Sequence, residues 1–179
     1  MTNLKILVDP NPKLRRKSEV VSTIDKSVKQ QIDDMLALLR TLPGYGLAAP
    51  QVGINSRIVI IENPPIHNEE GKQINKPLPL TVLINPEIIK YSKDKCSFEE
   101  GCFSVPLYRG DVIRPAKVRV VALDTQGKKI QINASGLFAR VLQHEIDHLD
   151  GVLFTDLITD KSKLIKNEVG PEWQEAIEG

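Results

Sequence analysis

Apolar positions along this chain change their spacing several times, and each change marks an element. Ile24, Val28, Ile32, Met35, Leu36 and Leu39 recur three and four residues apart, the spacing of one helix face. Thr23 is the predicted N-cap of that helix, and Pro43-Gly44 ends it. Upstream, residues 4–8 (LKILV) read as a short strand halted by Asp9-Pro10-Asn11-Pro12. Residues 44–53 (GYGLAAPQVG) are too small and irregular for a regular element, whereas 57–61 (RIVII) form an unbroken apolar run, the pattern of a buried strand. A proline-rich loop is predicted over 62–79, strands over 80–84 and 88–91, and an extended or turning segment over 97–105. Residues 117–124 and 128–132 flank Thr125-Gln126-Gly127, a hairpin signal with glycine at the turn. A second helix is predicted over 136–149, with Ser135 as N-cap and Gly151 just past its end. Strands that precede and surround one late helix predict an α+β fold with mostly antiparallel sheet.

Length adds a single-domain expectation. The chain has 179 residues, and we expect one catalytic domain over 1–160 followed by a polar tail, 161–179, with one short helix starting at Pro171. Charge is nearly balanced at +1, which argues against a strongly basic protein that wraps nucleic acid. No apolar run approaches the roughly 20 residues of a bilayer span. The N-terminal segment reads as neither a signal nor a transit peptide. Cys96 and Cys102 are too few for a disulfide framework, so a reducing cytoplasm is the expected compartment.

The chemistry concentrates in QHEIDHLDG, residues 143–151. His144 and His148 stand four apart, so on a helix both imidazoles leave the same face and can reach one metal ion. Glu145 lies beside them, where a general base can touch the water such an ion activates. A pair of solvated surface histidines is the bland alternative. Val141, Leu142, Ile146 and Leu149 make the helix largely apolar, hence buried, and buried His and Glu need partners. The third histidine, His67, lies in a polar loop and reads as solvated.

A catalytic zinc-type site usually takes three protein ligands. The position that would continue an HExxHxxGxxH pattern holds Phe154. Glu168 falls about twenty residues after His148, the thermolysin-like spacing, and Cys102 in EEGCFSVP (99–106) offers a thiolate. A small zinc peptidase built on His144, His148 and Glu168 and a non-catalytic module with a closed, four-ligand metal site are the rival readings. Gly101, before Cys102, is expected to let the backbone approach something closely.

GYGLAAPQ (44–51), EGCFSVP (100–106) and QHEIDHLDG (143–151), in that order, resemble the peptide deformylase family from about Asp9 to Phe154. The resemblance implies antiparallel strands wrapped around a central helix that carries the HExxH motif. It implies Cys102, His144 and His148 as metal ligands, Glu145 as catalytic base and acid, and Gln51 with the backbone N–H of Phe103 as oxyanion donors. Tyr45, Gly46, Gly101, Arg109 and Arg140 would bind substrate. Phe103 and Arg140 depart from commoner residues, leucine and an apolar side chain respectively. The implied cofactor is one Fe2+ per chain, which Zn2+, Ni2+ or Co2+ can replace. The implied substrates are N-formylmethionyl nascent peptides met transiently at the ribosome, with no direct nucleic-acid specificity and no membrane. The implied reaction is hydrolysis of the formyl group with release of formate.

Overall fold

The computed structural model describes residues 4–168. Its regular elements are α1 (Lys26–Leu39), β1 (Gly46–Ala48), β2 (Ile58–Asn63), β3 (Leu78–Tyr91), β4 (Lys95–Gly101), β5 (Tyr108–Pro115), β6 (Lys117–Leu123), β7 (Lys129–Ser135), α2 (Gly136–Leu149) and the two-residue β8 (Ile165–Lys166), joined in places by single 3-10 turns. Five antiparallel strands form one sheet in the order β1-β2-β3-β6-β7, and three form another in the order β4-β5-β8.

Helix α2 lies inside the fold, with nine of its fourteen residues buried. Ala139, Leu142, Ile146 and Leu149 pack against Val59, Ile61, Leu83, Val118 and Val120 of the large sheet. Helix α1 covers the opposite face, setting Ile32, Met35 and Leu39 against Ile58, Ile60 and Ile84. Strand β2 is thus covered on both sides. That is why its sequence is continuously apolar rather than alternating. A third cluster, Val105, Val112, Leu153, Phe154 and Ile158, closes the small sheet onto the chain that leaves α2. Gly151 makes this exit possible. Its φ is +75°, and a Cβ there would stand 2.5 Å from the carbonyl oxygen of Arg15.

Several expectations change. Residues 4–8 are extended but join no sheet, because Leu7 N–H donates to the Gln51 carbonyl and Asp9 N–H to that of Ser104. Asp25 rather than Thr23 caps α1, its carboxylate accepting from Val28 N–H at 2.9 Å. The strands predicted over 80–84 and 88–91 are one, β3, kept continuous across Asn85-Pro86 with register shifts on its β6 side. Within 44–53, β1 pairs with β2 and a 3-10 turn spans Ala49–Val52. Strand β5 has no counterpart among the predicted elements. The hairpin of β6 and β7 forms in register about Thr125-Gln126-Gly127. Ser135 is the N-cap residue of α2, although its side chain makes no capping hydrogen bond. Residues 161–168 carry a 3-10 turn and β8; the helix expected from Pro171 lies outside the described residues.

Candidate active site

Strand β4 ends at Gly101, and the chain turns at once, Val105 N–H donating to the Cys102 carbonyl at 3.0 Å. This turn holds the Cys102 thiol over the histidine face of α2. His144 and His148 meet edge to face, with ring centroids 4.9 Å apart. Cys102 Sγ and one nitrogen from each ring lie within 4.8 Å of one another, and Sγ stands 3.3 Å from His148 Nε2. The ring of Phe154 stacks on His144 at 6.3 Å. Among the described residues this is the group of donors that converges. Glu168 is not part of it, so the His-His-Glu reading loses its third ligand to Cys102.

One thiol and two imidazoles fit a divalent ion of borderline softness, and three ligands leave a position open for chemistry. A second observation agrees. Glu145 is buried, and its Oε2 has no hydrogen-bond partner. A buried polar atom without a partner is costly, so it points to something that enters the cleft. Burial pushes the Glu145 carboxyl up to about 7, against the pull of neighbouring His144. That value suits a group that must both take and return a proton near neutral pH. The backbone makes room for it at Gly46, where a Cβ would sit 2.5 Å from Glu145 Oε1.

Gln51 is buried in the 3-10 turn after β1. Its Oε1 accepts from Ala48 N–H at 2.8 Å, which aims Nε2 at Cys102 Sγ (3.5 Å) and Ser104 Oγ (3.3 Å). Phe103, beside the thiol, lays its ring over Gly44 and packs into the α1 side of the core. A cleft of about 900 Å3 runs past Gln51, Cys102, Phe103, His144 and Glu145 and is also lined by Tyr45, Gly101, Arg109 and Arg140. Gly101 borders it without a close approach. A Cβ there would meet nothing nearer than Arg109 Cβ at 4.0 Å, since strand pairing with β5 leaves that side open.

Beneath Cys102, His144 and His148 lies a charge cluster that the spacing of motifs did not reveal. Glu100 receives the Nε and Nη2 of Arg114 at 2.7 and 3.0 Å, Nη1 of Arg140 at 2.9 Å, and faces His144 Nδ1 at 2.8 Å. This contact fixes the ring and leaves His144 Nε2 for the metal position. Burial raises the Glu100 carboxyl, but hydrogen bonds from His144 and Arg114 outweigh it and hold it well below the usual range. Arg114 also pairs with Asp147 on α2. Arg140 spends its remaining bonds on the Cys96 and Val112 carbonyls, with its guanidinium 6.0 Å over the ring of Phe98. It reaches the cleft wall as a tied, neutralised group. The sequence signal was faint: Glu100 sits two residues before Cys102, and Arg114 is a charge at an inward position of an alternating strand.

The profile of the family described as polypeptide deformylase matches residues 3–164. This chain belongs to the polypeptide deformylase family. A peptide deformylase of Picosynechococcus is 45% identical over 84% of this chain and 76% of its own length. That of Thermomicrobium roseum is 44% identical over 89% and 88%. Among solved structures, the peptide deformylase of Ehrlichia chaffeensis in complex with actinonin superposes with a TM-score of 0.81 at 35% identity, covering 99% of this chain and 95% of that one. A probable peptide deformylase from a Synechococcus phage gives 0.75 at 40% identity over 86% and 99%. The deformylase family is one of hydrolases.

Proposed function

We propose that this chain hydrolyses the N-terminal formamide of N-formylmethionyl nascent polypeptides, giving formate and a free amino terminus. The observation that carries this reading is the unpartnered, buried Glu145 carboxylate beside the converging Cys102, His144 and His148. We assign Cys102, His144 and His148 as ligands of one divalent ion, Fe2+ in the native enzyme, with Zn2+, Ni2+ or Co2+ able to replace it because a thiolate and two imidazoles suit each. When bound, the ion supplies Lewis acidity toward both water and the formyl carbonyl.

The remaining work falls to the protein. Glu145 takes a proton from the attacking water as the new C–O bond forms, and passes it to the amine as the C–N bond breaks. The Gln51 amide donates to the formyl oxygen as charge grows there, and we assign the backbone N–H of Phe103 as its companion on the family resemblance. The Ala48 contact holds Gln51 ready for this, so no reorganisation is needed during reaction. Gly44 and Gly46 let a peptide lie along the cleft, with Tyr45, Gly101, Arg109 and the tied Arg140 as its other walls. Since the substrates are nascent chains, we place the enzyme transiently at the ribosome and in the cytoplasm. No described helix is long and apolar enough to cross a membrane.

Replacing Glu145 tests the assignment. Glu145→Ala is expected to bind one metal per chain yet lose turnover by several orders of magnitude. Near-normal activity in that variant would assign the proton transfer to another group.

A further inference from the structure

Beyond its catalytic end, the cleft has a wall that the three motifs do not account for. Residues 165–168 run along the outer edge of the small sheet, where Ile165 and Lys166 pair with Arg109 and Tyr108 as strand β8. Asn167 fixes the end of this segment three ways. Its backbone N–H donates to the Leu107 carbonyl at 2.8 Å, its Nδ2 to the Pro106 carbonyl at 2.9 Å, and its Oδ1 accepts from Arg109 Nη1 at 2.9 Å. The segment is therefore held as part of the sheet. Lys166, Asn167 and Glu168 all line the same cleft as His144 and Glu145.

Charge around this wall is unevenly used. Arg109 is occupied by Glu99 at 3.2 Å and by Asn167. Lys166 and Glu168 are exposed, and neither takes part in an ion pair among the described residues. Strand β8 ends at Lys166, and Asn167 and Glu168 continue the cleft wall beyond it. A cleft of about 900 Å3 is at the upper end of ligand-site sizes and exceeds what a single formylated residue fills.

We propose that residues 166–168 form a specificity-determining wall for the peptide beyond its formylmethionine, and that Lys166 selects for acidic side chains in the third and fourth positions. This rests on the cleft being the deformylase site. Glu99 and Glu168 set limits on the acidic preference, because they repel acids placed off the Lys166 side. Asn167 is a positioning residue that acts through the segment it anchors.

The test compares the full chain, metal-loaded, on formyl-Met-Ala and on formyl-Met-Ala-Xaa-Xaa with Xaa as Asp, Ala or Lys. The quantity read is kcat/KM of each tetrapeptide divided by that of the dipeptide. In the parent chain the ratio should be highest for Asp. Lys166→Glu should lower the Asp ratio about two- to five-fold and raise the Lys ratio similarly, the size expected of a solvent-exposed ion pair. Added salt should flatten both trends. Asn167→Ala should raise KM for all three tetrapeptides relative to the dipeptide with kcat retained. Ratios that do not move in Lys166→Glu, or that move alike for Asp and Lys peptides, overturn the proposal. Dipeptide deformylation by the parent chain reads the catalytic assignment separately, so loss of that activity is a different failure.

Discussion

At the scale of single residues, the site depends on a backbone that comes very close to a carboxylate. Gly46 leaves the space Glu145 occupies, and a methyl group there would stand 2.5 Å from Oε1 and 2.8 Å from Cγ. The Glu145 side chain borders the cleft, so a Gly46→Ala change would turn it rather than unfold the strand. Misplacement by about 1 Å is worth about 100-fold in rate. Gly46→Ala is therefore expected to lower kcat about 10- to 100-fold with metal content near one per chain, measured by steady-state kinetics and metal analysis on the same sample. Unaltered kcat would mean that Glu145 is not held by this contact. Cys102 shows a related economy of means, one thiol placed by a turn rather than by a helix, with Gln51 fixed beside it through Ala48.

At the scale of elements, the hairpin of β4 and β5 is clasped to α2 by charge rather than by apolar packing. Glu100, Arg114 and Arg140 have side chains only 4%, 5% and 7% exposed, so each depends on the others for its solvation. Removing one partner of such a set typically costs 3–5 kcal/mol, because the rest stay buried and unpaired. Arg114→Leu should lose about 3–5 kcal/mol of unfolding free energy in urea and about 10- to 100-fold of metal affinity, since Glu100 then orients His144 poorly. A variant with parental stability would show that solvent reaches the cluster. This clasp also explains what the sequence revealed and what it did not. His144 and His148 stand four apart on one helix, so periodicity alone put them on one face, with Glu145 one position round from His144. RIVII announced β2 because both its faces are covered. Strand β5 escaped notice because its inward positions include Gly110 and Arg114, which break the apolar alternation. Arg114, Glu100 and Asp147 lie far apart in the chain, and only the pairing of β4 with β5 over α2 brings them together. The N-cap of α1 moved to Asp25 because its carboxylate reaches Val28 N–H.

At the scale of the whole molecule, the proposed metal site adds a second tie between the small sheet and α2, which the Glu100, Arg114 and Arg140 cluster already clasps. Cys102 belongs to the small sheet's turn, and His144 and His148 to the helix enclosed by the large one. An ion that binds only the folded chain stabilises it by mass action, about 2.7 kcal/mol at a concentration of 100 times its Kd. Metal-stripped protein titrated with Co2+ should thus show a Tm that climbs with concentration, and Cys102→Ala should remove most of the climb. A Tm indifferent to the ion would separate metal binding from the fold. The ligands must be deprotonated to bind, so the titration should also release protons. The central claim is that this assembled centre cleaves a formamide. It is tested most directly by anaerobic hydrolysis of a formyl-Met peptide beside its acetyl-Met twin, with metal content determined on the same sample. Rapid release of formate, little acetate and about one metal per chain are expected. A fully metallated sample that leaves the formyl peptide intact would contradict that claim.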